Sequence, residues 1–199
     1  MTKQWPPFSD SEYLDDAKSQ LDQSQLELFQ NVKAMVFDAD GILTSGNLLF
    51  GVNGEELKEF NVKDGLGLVM ARTVGIKLAL LTGRNSKVAE ARAKELRFDS
   101  IKLGRFDKQT AMKEILAELG YSSDEVLYMG DDLIDIPAMD MAQLAVTVPE
   151  ACSDVKIRAD YVTSEHGGSG AVREVTDLVL KSRQLYGKAL VRLAERAWF

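Results

Sequence analysis

Apolar and polar positions along the chain form short runs that alternate with longer amphipathic stretches. Ala34-Met35-Val36-Phe37, Lys77-Leu78-Ala79-Leu80-Leu81 and Ser100-Ile101-Lys102-Leu103 are apolar runs that suit buried strands. Val126-Leu127-Tyr128-Met129, Leu144-Ala145-Val146-Thr147-Val148 and Asp160-Tyr161-Val162-Thr163 continue the series. Between them, helices are predicted at 64–74, 86–96, 108–119, 134–139 and 149–157, with a last one from Ala171 toward the C-terminus. Strand and helix in regular alternation predict an α/β fold, a Rossmann-like parallel sheet between two helical layers. Ahead of the first strand, Ser9 and Glu12 have capping-box spacing, and Leu14, Ala17 and Leu21 follow at helical intervals. Residues 9–30 therefore read as one amphipathic helix with an acidic outer face of Asp10, Asp15, Asp16 and Asp22. One segment breaks the alternation. Asn53-Gly54 is a tight-turn dipeptide between two extended arms, so residues 45–60 read as a β-hairpin inserted after the first strand.

Composition narrows this picture. At 199 residues with 45% apolar content, the chain suits one domain with a small appendage. The expected division is a helical extension over 1–31, a core over 32–182 and a helical tail over 183–199. The single cysteine, Cys152, fits a cytoplasmic, reducing setting and reads as a small buried apolar residue. A net charge of −7 argues against a nucleic-acid partner. No apolar run is long enough for a membrane helix, and the N-terminus lacks an apolar signal core.

In open parallel sheets, ligands bind beyond the carboxyl ends of the strands. The first strand is followed by Asp38-Ala39-Asp40-Gly41-Ile42-Leu43-Thr44, the second by Thr82-Gly83-Arg84 and the third by a loop leading to Lys108. The fourth is followed by Gly130-Asp131-Asp132-Leu133-Ile134-Asp135. Each cluster alone also fits an ordinary turn or helix cap. Together they bring acids, a hydroxyl and a lysine to one edge. Carboxylates gathered there repel one another unless a cation sits among them, and oxygen ligands suit Mg²⁺. A lysine, a hydroxyl and backbone N–H groups would hold a phosphate. One carboxylate could attack phosphorus while a second, two residues along, moves the proton.

These four segments, in this order, resemble the haloacid dehalogenase superfamily of phosphatases, over residues 32–180. Asn53-Gly54-Glu55-Glu56-Leu57-Lys58, Phe60-Asn61-Val62-Lys63-Asp64-Gly65 and Gly167-Gly168-Ser169-Gly170-Ala171-Val172-Arg173-Glu174 narrow the likeness. They resemble the subgroup that hydrolyses 3-deoxy-D-manno-octulosonate 8-phosphate (KDO 8-phosphate) in lipopolysaccharide precursor synthesis, which also holds phosphatases for nine-carbon sugar acids. The resemblance implies Asp38 as nucleophile and Asp40 as general acid, then base. It implies Mg²⁺ on the Asp38 side chain, the Asp40 carbonyl and Asp131, with Thr82 and Lys108 holding the phosphoryl group. Asp132 and Asp135 would support the site, and Lys63, Arg84 and Arg173 would bind the substrate. A receiver-like phospho-accepting domain is the competing class, but its acid pair comes first in the chain, whereas here the pair at Asp131-Asp132 comes last.

Other features read more plainly. His166 suits a structural hydrogen bond, residues 167–170 a tight entry into the last helix, and Tyr186, Leu190, Leu193 and Trp198 a packing face. The spacing of the motifs also limits the architecture. The stretch from Thr44 to Thr82 already holds a hairpin, a helix and a strand, and that from Thr82 to Lys108 has room for one helix and one strand. No cap domain fits. The resemblance then implies a homotetramer in which hairpins join subunits and the hairpin and C-terminal tail close neighbouring sites.

Overall fold

The most apolar run lies at the centre of the sheet: all four residues of β1 (Ala34–Phe37) are buried, as parallel pairing on both sides requires. The computed structural model describes residues 5–54 and 56–197. Glu55 of the hairpin and Trp198 of the expected packing face lie outside them. β4 (Lys77–Leu81), β5 (Ser100–Lys102), β6 (Val126–Met129), β7 (Leu144–Thr147) and β8 (Tyr161–Val162) complete a parallel sheet in the order β5-β4-β1-β6-β7-β8. The chain adds strands on one side of β1 through β5, then crosses to add β6, β7 and β8 on the other. That reversal opens a crevice at the carboxyl end of β1. Phe37 pairs with Leu80 and with Met129, so the register brings the residues after β1, β4 and β6 to one level.

Helices flank the sheet. α3 (Val62–Thr73) packs on α8 (Ala171–Ser182) and α9 (Tyr186–Ala197), while α5 (Lys108–Leu119) packs on α6 (Ile136–Met139). α4 (Lys87–Glu95) starts on a Ser86 cap whose hydroxyl accepts from the Ala89 N–H. The helix expected over 149–157 is only one turn, α7 (Ser153–Lys156). Cys152 precedes it and is exposed, not buried as its residue type suggested, because it stands at the non-helical entry to α7.

The N-terminal segment forms two helices rather than one. α1 (Asp10–Gln20) starts at the expected Ser9–Glu12 capping box. Leu21 is extended, and Asp22 opens α2 (Gln23–Asn31) with a second capping box to Gln25. Read as part of an acidic face, Asp22 is instead the residue that breaks the helix. Ala17, Leu21, Leu26 and Phe29 bury this appendage against the core. The C-terminal segment is likewise broken. Gln184 takes a left-handed φ of 54°, and the Leu185 N–H donates to the Leu180 carbonyl at 2.8 Å, a helix stop that separates α8 from α9. Tyr186, Leu190 and Leu193 form a packing face against the core.

The inserted hairpin is present as β2 (Leu49–Phe50) and β3 (Glu56–Leu57), with Leu49 opposite Leu57. Gly54 turns it at φ 82°. Its outer side chains are apolar: Phe50 is 60% exposed and Val52 fully exposed.

Candidate active site

The loop leaving β1 turns back on itself, with the Leu43 and Thr44 N–H groups donating to the Ala39 carbonyl. Gly41 makes that turn at φ 93°, and a Cβ there would lie 2.0 Å from Asp131 Oδ2. The acidic loop after β6 is thus pressed against the one after β1. Asp38, Asp40, Thr82, Arg84, Asp131 and Asp132 line one cleft of about 250 Å³. Thr82 is buried in it, and its hydroxyl accepts from the Arg84 N–H at 3.3 Å.

Lys108 lies beneath the cleft with no exposed surface. Its Nζ donates to Asp38 Oδ1 at 2.8 Å, Asp135 Oδ1 at 2.5 Å and the Tyr128 hydroxyl at 3.2 Å. Tyr128 donates in turn to Asp135 Oδ1 at 2.6 Å. The other Asp135 oxygen accepts from the Asp131 and Asp132 N–H groups, each at 3.1 Å. Asp135 therefore fixes both the lysine and the acidic loop.

The electrostatics are unbalanced toward negative charge. Oxygens of Asp38, Asp131 and Asp135 lie within 4.8 Å of one another. Burial, with the Asp135 charge adding to it and Lys108 opposing it, pushes the Asp38 carboxyl up to about 7. Burial and the charges of Asp38, Asp135 and Asp132 push Asp131 up to about 8. Burial works against charge on Lys108, but Asp38 and Asp135 outweigh it and hold the ammonium above its ordinary range. Asp131 Oδ1 is buried with no hydrogen-bond partner. An oxygen-rich cluster with a bare carboxylate oxygen and excess negative charge fits a hard divalent cation. Both oxygens of Asp135 are already taken by Lys108, Tyr128 and backbone N–H groups, which leaves Asp38 and Asp131 as the side chains able to meet it.

Of the residues expected to bind substrate, Arg84 stands in this cleft, with its Nε 3.5 Å from Asp40 Oδ2. Lys63 and Arg173 do not. They line a separate groove of about 400 Å³ with Ser169, Glu174 and Asp177. Arg173 is engaged there: its Nε donates to Asp177 Oδ1 at 2.8 Å and an Nη2 reaches the Tyr186 hydroxyl at 3.4 Å. Both residues sit in the first turns of helices, α3 and α8, that pack on each other, and they line this groove rather than the cleft that holds Arg84.

The glycine loop before α8 has the expected structural part. A Cβ at Gly167 would lie 1.7 Å from the Gly41 carbonyl oxygen, and the Gly168 N–H donates to the Ile42 carbonyl at 2.9 Å. Glu150 secures it, accepting from the Gly167 N–H at 2.7 Å and bonding His166 Nδ1 at 2.9 Å. Tyr128, Glu56, Lys58 and Ser86 also belong to the site but were not singled out from the sequence. Tyr128 reads as one more core residue of an apolar strand. Glu56 and Lys58 carried a signal: opposite charges two apart on a strand share one face.

Residues 101–175 match the haloacid dehalogenase-like hydrolase family. A 3-deoxy-D-manno-octulosonate 8-phosphate phosphatase of Escherichia coli K12 is 44% identical over 151 residues, covering 76% of this chain and 80% of the relative. The crystal structure of the 3-deoxy-D-manno-octulosonate 8-phosphate phosphatase from Moraxella catarrhalis, in complex with magnesium, phosphate and KDO, matches with a TM-score of 0.82 at 36% identity, covering 86% of this chain and 99% of that one. That of the Yersinia pestis phosphatase matches with a TM-score of 0.81 at 39% identity, over 83% of this chain and 90% of that one. The chain belongs to the haloacid dehalogenase-like hydrolases, in the group of the 3-deoxy-D-manno-octulosonate 8-phosphate phosphatases.

Proposed function

We propose that this protein is a Mg²⁺-dependent phosphoric monoester hydrolase that converts 3-deoxy-D-manno-octulosonate 8-phosphate to the free sugar acid and phosphate, in cytoplasmic lipopolysaccharide precursor synthesis. The observation that carries this reading is the buried Lys108 bound to Asp38 beneath a cleft where Asp131 keeps a bare oxygen. The relatives, one of them crystallised with magnesium, phosphate and KDO, support the substrate class.

Asp38 is the nucleophile. Lys108 holds one of its oxygens, and a carboxylate oxygen attacks phosphorus to give an aspartyl-phosphate as the bond to the sugar oxygen breaks. Asp40 protonates that departing oxygen, then takes a proton from the water that hydrolyses the aspartyl-phosphate. Lys108 and the Thr82 hydroxyl hold phosphoryl oxygens. Asp135 fixes Lys108, and Asp132 caps the turn that follows it, its carboxylate accepting from the Leu133 N–H at 2.7 Å. Mg²⁺, held by the Asp38 and Asp131 side chains and the Asp40 carbonyl, supplies charge neutralisation to the carboxylates and the phosphoryl group. Arg84 meets the carboxylate of the sugar acid.

Residues 32–182 act as the core, with 1–31 and 183–199 as appendages. The core carries no cap, and the open cleft is completed by assembly as a homotetramer through the apolar hairpin tip. Lys63 and Arg173 are assigned to the edge of a neighbouring subunit's cleft. A nine-carbon sugar-acid phosphate is the closest competing substrate.

The test of the chemistry is rapid quenching of Asp40→Asn with 3-deoxy-D-manno-octulosonate 8-phosphate and Mg²⁺, followed by mass spectrometry. One phosphoryl group on Asp38 is expected, with none in Asp38→Asn, which releases no phosphate while keeping its fold. Phosphate release by Asp38→Asn would overturn the mechanism.

A further inference from the structure

Lys58 follows the short strand β3 and points back into its own chain. Its side chain has no exposed surface, a costly placement for an ammonium unless it is paired. Its Nζ donates to Asp40 Oδ1 and lies 3.3 Å from Glu56 Oε1. Glu56 is a hub: it accepts from Ser86 Oγ at 2.5 Å and from Arg84 Nη2 at 3.1 Å. The hub reaches the entry of α4 through Ser86, whose hydroxyl caps that helix. Lys58 is thus held by a carboxylate that is itself tied to the rigid sheet edge. The second oxygen of Asp40 is different. Oδ2 is buried and makes no hydrogen bond, with Arg84 Nε 3.5 Å away.

A carboxylate on a loop can turn about its own side-chain torsions. A proton-transfer group needs one oxygen presented at hydrogen-bond reach of the reacting oxygen, in one orientation. Here one oxygen of Asp40 is taken by Lys58, and the other makes no hydrogen bond and faces only the Arg84 guanidinium. We propose that Lys58 is the positioning residue for Asp40: it clamps Oδ1 so that Oδ2 faces the oxygen that leaves and the water that attacks. This rests on the reading of Asp40 as general acid and base. The hairpin therefore has a part in its own subunit's chemistry, whatever it does between subunits.

The experiment separates positioning from mere support by the leaving group. The sugar oxygen of an alkyl phosphate needs a proton to depart, whereas p-nitrophenolate leaves as a stable anion. Release of the leaving group in a single turnover, enzyme in excess with Mg²⁺, isolates this step from hydrolysis of the aspartyl-phosphate. Lys58→Met is expected to slow sugar release from 3-deoxy-D-manno-octulosonate 8-phosphate on the order of 100-fold, within the usual range for loss of acid catalysis. Its p-nitrophenolate release should change only a few-fold, and Lys58→Arg should recover part of the loss. Asp40→Asn, measured in parallel, should show the same selective loss. Equal losses on both substrates in Lys58→Met, or no loss on either, would overturn the proposal while a selective Asp40→Asn leaves the acid assignment standing. A non-selective Asp40→Asn would overturn both. Lys58→Leu, which also lacks a donor, carries the same comparison if Lys58→Met does not fold.

Discussion

Asp131 and Asp38 explain why this site needs a cation and when. Without one, their carboxyls keep protons up to about pH 8 and about pH 7, far above the ordinary carboxylate value near 3.8. The folded chain then binds more protons than the unfolded chain across that interval. Their contribution to stability is full below about pH 4 and is lost as pH rises through about 7 and 8. A divalent cation displaces those protons and removes the repulsion. The rise in Tm on adding Mg²⁺ should therefore be small near pH 5.5 and grow toward about pH 8.5, as thermal unfolding at fixed ionic strength would read. A Mg²⁺ shift that does not depend on pH would contradict this account. These acids were legible because each follows an apolar run, and strand ends in a parallel sheet share an edge. Tyr128 was not, since a hydroxyl buried at the end of a strand looks like core until its partner Asp135 is seen. Arg173 shows the converse: its charge is visible in sequence, but its pairing with Asp177 in a groove apart from its own chain's cleft is not.

Among the elements, the loop before α8 braces the loop that carries Asp38 and Asp40. Gly170 gives α8 no side-chain cap, and Asp64 of α3 supplies one from outside, its Oδ1 accepting from the Arg173 N–H at 2.8 Å. This fixes the loop that carries Gly167 onto the Gly41 carbonyl. Gly167→Ala would place a Cβ where only 1.7 Å is available, so the Asp38–Asp40 loop must shift. A displacement of that kind costs on the order of 100-fold in rate. The expected result is a kcat lower by about that factor on any phosphate ester, with far-UV circular dichroism unchanged; wild-type kcat would show that the contact does not position the loop. Local patterning gave fair bounds for the sheet strands, and the alternation break at residues 45–60 marked the hairpin. It failed at helix interruptions. Asp22 and Gln184 stop helices through a side-chain cap and a left-handed residue, and neither disturbs the apolar periodicity.

At the scale of the molecule, the cleft stands at the open edge of an uncapped sheet. The hairpin partly closes it from within, through Glu56 and Lys58, and presents Leu49, Phe50, Val52 and Leu57 outward. An exposed apolar cluster on a projecting hairpin suits contact between subunits. The α9 segment, expected to reach a neighbouring site, packs on α1, α3 and α8 of its own chain. The hairpin is the surface through which the proposed tetramer would assemble. Light scattering should show four chains for the native protein and fewer for Phe50→Asp with Val52→Asp, with a higher KM for the sugar-acid phosphate. A native monomer at micromolar concentration would contradict this arrangement.

Substrate preference is read from kcat/KM with Mg²⁺ present. The comparison sets 3-deoxy-D-manno-octulosonate 8-phosphate against a nine-carbon sugar-acid phosphate and p-nitrophenyl phosphate. The highest value is expected for the eight-carbon substrate, by about 10-fold or more over the nine-carbon one, since a misplaced group in a fitted site costs roughly 1–3 kcal/mol. A preference for the nine-carbon ester, or no phosphate release from any of the three, would contradict it.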